Sequence, residues 1–107
     1  MKQDQDIGGI AIRIMEAWLL ANGFEVCGNW DERDKDCLRQ YGPHLVCGTE
    51  AHTSEPHDYD ALWKAFSQYL SQHNALPGAV HFEPYGLEVF SCPCGCGDYI
   101  YLSIFYQ

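Results

Sequence analysis

Apolar positions along the chain recur first at helical spacing, then again at helical spacing, and finally at every second residue. From Ile7 onward Ile10, Ile14, Ala17, Trp18 and Ala21 share one helical stripe, with Asp4 or Asp6 to cap it and Asn22 and Gly23 to stop it. Ile12, Met15, Leu19 and Leu20 widen the stripe until little besides Arg13 and Glu16 is polar. That predicts a helix of about four turns, enclosed on most sides, after a loose tail from Met1 to Asp6. The second helix reads more clearly. Tyr59, Leu62, Trp63, Phe66, Tyr69, Leu70 and His73 fall on one face, opposed by Asp60, Lys64, Ser67, Gln68, Ser71 and Gln72. Ser54 or Asp58 can cap its start, and Asn74 with Pro77 and Gly78 closes it.

Between the helices the pattern is broken. Phe24 to Cys27 alternates like a short strand, Asn29 to Gln40 mixes charges of both signs as a short exposed helix or turn does, and Tyr41 to Pro43 interrupts. His44 to Cys47 is a second short strand candidate, and Gly48 to His57 reads as a polar loop. After Gly78 the period becomes two. Ala79 to Glu83, Leu87 to Cys92 and Tyr99 to Tyr106 are then successive antiparallel strands, the last two a hairpin with its loop from Pro93 to Asp98. The expected architecture is a single α+β domain over residues 1–107, with an antiparallel sheet of three to five strands packed against two helices and a C-terminal β-hairpin.

Composition supports one core: 47% of the 107 residues are hydrophobic and no low-complexity tract is present. Charge narrows the partners. Fifteen acidic against six basic residues give a formal charge of -9, which disfavours contact with phosphate backbones or an anionic membrane and favours a basic protein. From Tyr41 onward Lys64 is the only Lys or Arg, while Glu50, Glu55, Asp58, Asp60, Glu83, Glu88 and Asp98 are acidic. Those seven, with Tyr85 as an aromatic anchor, are the candidate partner-binding residues. The bland alternative is a solvated acidic surface that keeps a small protein soluble. Nothing at the N-terminus reads as a secretion signal, and no run is long enough to span a membrane, so a reducing cytoplasm is expected.

In that compartment the cysteines are thiols or metal ligands. Cys92, Cys94 and Cys96 put three thiols in one Gly-containing loop, a set that suits a thiophilic ion such as zinc. A fourth ligand would come from Cys27, Cys37, Cys47, His44, His52 or His57. Single-residue gaps compress the usual zinc-knuckle spacing, and reduced cysteines acting as small hydrophobes are the competing reading. A phosphate loop, a nucleophile elbow and a helical histidine pair are all missing from the sequence, which argues against an enzyme.

Three functions follow in order of expectation. The first is an inhibitor that occupies a basic, nucleic-acid-engaging surface of a partner; in size and charge alone the chain is similar to anti-CRISPR proteins and nuclease-immunity proteins. The second is a small zinc-binding structural or adaptor domain built on the loop from Cys92 to Cys96. The third is a hydrolase using the carboxylates between His52 and Asp60.

Overall fold

A computed structural model describes the backbone of residues 2–32 and 45–106 and the side chains of residues 8–29 and 47–106. In chain order the elements are α1 (Lys2–Ala21), β1 (Glu25–Glu32), β2 (Leu45–Thr53), α2 (Tyr59–Asn74), β3 (Phe82–Ser91) and β4 (Asp98–Tyr106). The strands make one antiparallel sheet in the order β1-β2-β4-β3, so the α+β class, the two helices among the described residues and the C-terminal hairpin are as expected.

Alternation along the two central strands decides what each face of the sheet does. Cys47, Thr49, Ala51 and Thr53 of β2 and Ile100, Leu102 and Ile104 of β4 are buried beneath the helices. Their intervening neighbours Glu50, His52, Tyr99 and Tyr101 project from the other face. Over the inner face α1 supplies Ala11, Met15, Trp18 and Leu19, and α2 supplies Leu62, Phe66 and Leu70. The helices also meet each other: Trp18 lies 4.9 Å from Phe66 between ring centroids, and the Tyr69 hydroxyl donates to the Ile14 carbonyl.

Helix ends are closed locally. Gly23, at φ +84°, ends α1 with the paired bonds of a left-handed stop, Phe24 N to Leu19 O and Gly23 N to Leu20 O. Asp58 is the cap of α2 and accepts from the backbone of Asp60 and Ala61. At the far end the Asn74 amide clasps Phe82, donating to its carbonyl and accepting from its N–H, which ties α2 to the start of β3.

Four elements differ from the sequence reading. The backbone of α1 begins at Lys2, taking in residues read as a tail, and the helix presents one buried face rather than being enclosed: Leu20 is 61% exposed. β1 continues through Asn29 to Glu32, and the rest of the stretch read as an exposed helix or turn, with Cys37 and His44, lies outside the described residues. β2 runs on to Thr53 through residues read as a loop. The two strands read at Ala79–Glu83 and Leu87–Cys92 are one, because Pro84 sits at a bulge in an edge strand, where a missing N–H leaves no ladder bond unmade. Among the described residues no helix is long and apolar enough to cross a membrane.

Candidate metal centre

The hairpin joining β3 to β4 turns through residues 92–97 and closes on itself. Cys92 N donates to Gly97 O at 2.8 Å and Gly95 N to Cys92 O at 2.9 Å. Two glycines permit the path. Gly95 has φ +81°, and Gly97, at φ +152°, lies so close to β2 that a Cβ there would stand 2.2 Å from the Thr53 carbonyl oxygen. That approach seats the loop on the end of β2, where alternation turns His52 outward.

The result is a cluster of four ligand atoms. The His52 imidazole and the thiols of Cys92, Cys94 and Cys96 all lie within 4.8 Å of one another. His52 Nδ1 is 3.1 Å from Cys96 Sγ, and Cys92 Sγ is 3.1 Å from Cys94 Sγ. Neighbouring ligands on one tetrahedral zinc stand roughly 3.5 to 3.8 Å apart, given zinc bonds of about 2.0 to 2.3 Å. The cluster therefore has the size for a single ion, and its donor set of three sulfurs and one nitrogen is one that zinc takes.

A carboxylate orients the histidine. Glu25 pairs with His52 across the β1-β2 ladder, and its Oε1 lies 2.7 Å from His52 Nε2. With Nε2–H donating to the Glu25 carboxylate, the Nδ1 lone pair faces the thiols, the carboxylate-imidazole-metal arrangement that fixes a ligating histidine. The thiols also act on one another. Hydrogen bonds from Cys96 and Cys92 lower the Cys94 thiol to about 7, while the bond to Cys94 pushes Cys96 up to about 12. One thiolate is thus favoured, held by its two neighbours, and a bound cation would draw off their protons.

Of the other proposed fourth ligands, Cys47 is buried on the helix side and His57 stacks on Phe24 at 4.6 Å. Cys27 lies on β1, its thiol pushed up by burial and by nearby Cys92, and is not part of the four-atom cluster. A shallow cavity of about 230 Å³, whose lining includes Glu25, His52, Ser54 and Cys96, opens beside the ligands.

The acidic candidates do not form one patch. Glu50, Glu83, Glu88 and Tyr85 belong to the open face or its margin: Glu50 and Glu88 are the cross-strand partners of Tyr101, Glu83 is the partner of Phe105 and contacts His81, and the Tyr85 ring meets Phe105 edge-on. Glu55, Asp58 and Asp60 surround the start of α2, where Asp58 is engaged as the cap. Asp98 is turned toward α2 and accepts from the Tyr59 hydroxyl at 2.7 Å. Sequence reasoning did not single out Glu25. The every-second-residue burial of Cys47, Thr49, Ala51 and Thr53 is the signal that marks His52 as outward-facing.

No family model, curated protein or solved structure matches the chain.

Proposed function

We propose that this chain is a small zinc-binding structural domain whose output is protein binding, with His52, Cys92, Cys94 and Cys96 as the ligands. The observation that carries this reading is the meeting of those four ligand atoms within 4.8 Å, with Glu25 on the far nitrogen of His52. Four protein ligands fill a tetrahedral ion and leave no position for a reactive water, so the centre is structural and the domain is not a metallohydrolase. Its mechanical effect is to staple the β3-β4 loop to β2 across the end of the sheet. A reducing cytoplasm suits the reading, because adjacent thiols there stay available to a metal.

The inhibitor reading has its own support in the acidic side chains of the open face and the formal charge of -9, both complementary to a basic partner. The two readings are compatible, since a metal-stapled hairpin makes a rigid platform.

Elemental analysis of protein purified without chelator tests the proposal. It requires one zinc per chain, and chelation must lower the unfolding midpoint, with a loss of unfolding free energy of about 4 kcal/mol if free zinc had been a thousandfold above its dissociation constant. Metal-free protein with an unchanged midpoint in added zinc would refute it.

A further inference from the structure

The sheet face turned away from the helices carries side chains in ordered rows. Around β4, Tyr101 stands between Glu50 of β2 and Glu88 of β3, and Tyr99 stands between His52 and Phe90. The second row continues to Glu25 through the His52 pairing, so it passes through one residue of the candidate metal cluster. The rings touch: Phe90 meets Tyr101 edge-on at 5.3 Å, and Tyr99 meets Tyr101 at 5.6 Å. They nevertheless remain accessible, Phe90 at 48% and Tyr101 at 37%. With Ser91, Pro93 and Tyr99 they line a shallow depression of about 330 Å³ beside the cysteine loop.

The charge on this face selects its occupant. Glu25, Glu50, Glu83 and Glu88 belong to it, whereas the described Lys and Arg side chains, Arg13 and Lys64, sit on the helices. A nucleic acid would meet these carboxylates with its phosphates, and a second copy of the chain would bring the same carboxylates against them. Accessible aromatic faces bordered by carboxylates suit a guanidinium, which stacks on a ring and donates a fork of N–H groups to an acid. Glu88 is exposed directly beside Tyr101, while Glu50 already accepts the Tyr99 hydroxyl.

We infer that the depression lined by Phe90, Tyr99 and Tyr101 receives an arginine side chain from an exposed basic segment of a partner protein, with Glu88 as the carboxylate that pairs with it. This deepens the protein-binding part of the proposed function by naming the partner's chemistry and the site.

The probe is a fluorescein-labelled peptide of alternating arginine and glycine, followed by anisotropy against the zinc-supplemented full chain, beside a lysine-glycine peptide of equal charge. The arginine peptide is expected to bind more tightly. Phe90→Ala and Tyr101→Ala should each weaken it about fivefold, since an exposed cation-ring contact is worth up to about 1 kcal/mol. Glu88→Gln should weaken it and flatten its salt dependence. Glu16→Gln, which removes one charge from α1 and keeps an oxygen to accept from Asn29, should leave affinity within twofold. Circular dichroism of each variant establishes that it is folded. Equal losses in Glu88→Gln and Glu16→Gln, or unchanged affinity in folded Phe90→Ala and Tyr101→Ala, would overturn the site in favour of diffuse attraction; no binding of the arginine peptide would overturn it outright. Zinc content measured on the same samples separates the two readings: a zinc-loaded chain that ignores the peptide loses only this inference, and a zinc-free chain that binds it with the expected variant pattern loses only the metal centre.

Discussion

The two faces of the sheet are built from alternate residues of the same strands and held by different physics. Beneath the helices Ala51, Ile100, Leu102 and Ile104 pack against Met15, Leu19, Phe66 and Leu70, every one of them at most 1% exposed. Removal of apolar surface from water holds that side together. One residue along, the same strands present His52, Glu50, Tyr99 and Tyr101, joined by directed polar contacts: His52 to Glu25, and the Tyr99 hydroxyl to Glu50. The helix side can hold the fold, which leaves the other side free to carry chemistry. Thiols, an imidazole and accessible rings gather on the face that α1 and α2 leave uncovered.

Changes on the two sides should therefore separate stability from metal affinity. The largest expected effect lies inside. Phe66 is fully buried against Trp18, and Phe66→Ala should cost about 3 to 5 kcal/mol in urea unfolding, while the fraction still folded keeps its zinc affinity. Parallel loss of zinc affinity in the folded fraction would break the division between faces. On the outer side Glu25→Gln keeps the shape but removes the charge that orients His52. It should weaken zinc binding about 10- to 100-fold in competition with a chromophoric chelator, with a much smaller change in the metal-free unfolding midpoint.

The smallest effect sharpens the comparison at the seam between β4 and α2. Burial and then Asp98 raise the Tyr59 phenol above its ordinary value, so the folded state holds that proton more tightly than the unfolded chain does. The resulting stability is fully present below about pH 10, where a free tyrosine is protonated, and is lost as pH rises from there toward the folded value. Tyr59→Phe should cost about 1 kcal/mol at neutral pH. That difference should shrink above about pH 10, and a gap that widened there would reverse the assignment.

Periodicity made most of the fold legible. The stripe from Tyr59 to Leu70 predicts α2 nearly to the residue, with Asp58 the cap of the two candidates Ser54 and Asp58, and alternation from Tyr99 to Tyr106 predicts β4. β2 was hard to read because Gly48, Thr49, Glu50, Ala51 and His52 are small or polar on both faces, and their inner members are buried by the depth of the fold rather than by their own hydrophobicity. β3 was split because Pro84 and Gly86 resemble a turn when nothing reveals that the strand is an edge. α1 carries apolar residues on most sides, yet it lies in an outer layer and leaves Leu20 exposed.

The site follows the same division. Three thiols in five residues are visible in the chain itself, whereas His52 emerges from six candidates only when the Gly97 backbone is seated against Thr53. Glu25 depends on the β1-β2 register, which no local pattern specifies.

Cobalt(II) titration of the reduced, metal-free protein, followed by its absorption, tests the metal centre most directly. Saturation is expected at one cobalt per chain, with thiolate-to-cobalt charge-transfer bands and the intense visible bands of a tetrahedral ion. Cys94→Ser should reduce the charge-transfer intensity by about one third, in proportion to the thiolate lost, while Cys47→Ser should leave it unchanged. A spectrum without charge-transfer bands, or one that falls equally in both variants, would contradict the metal centre.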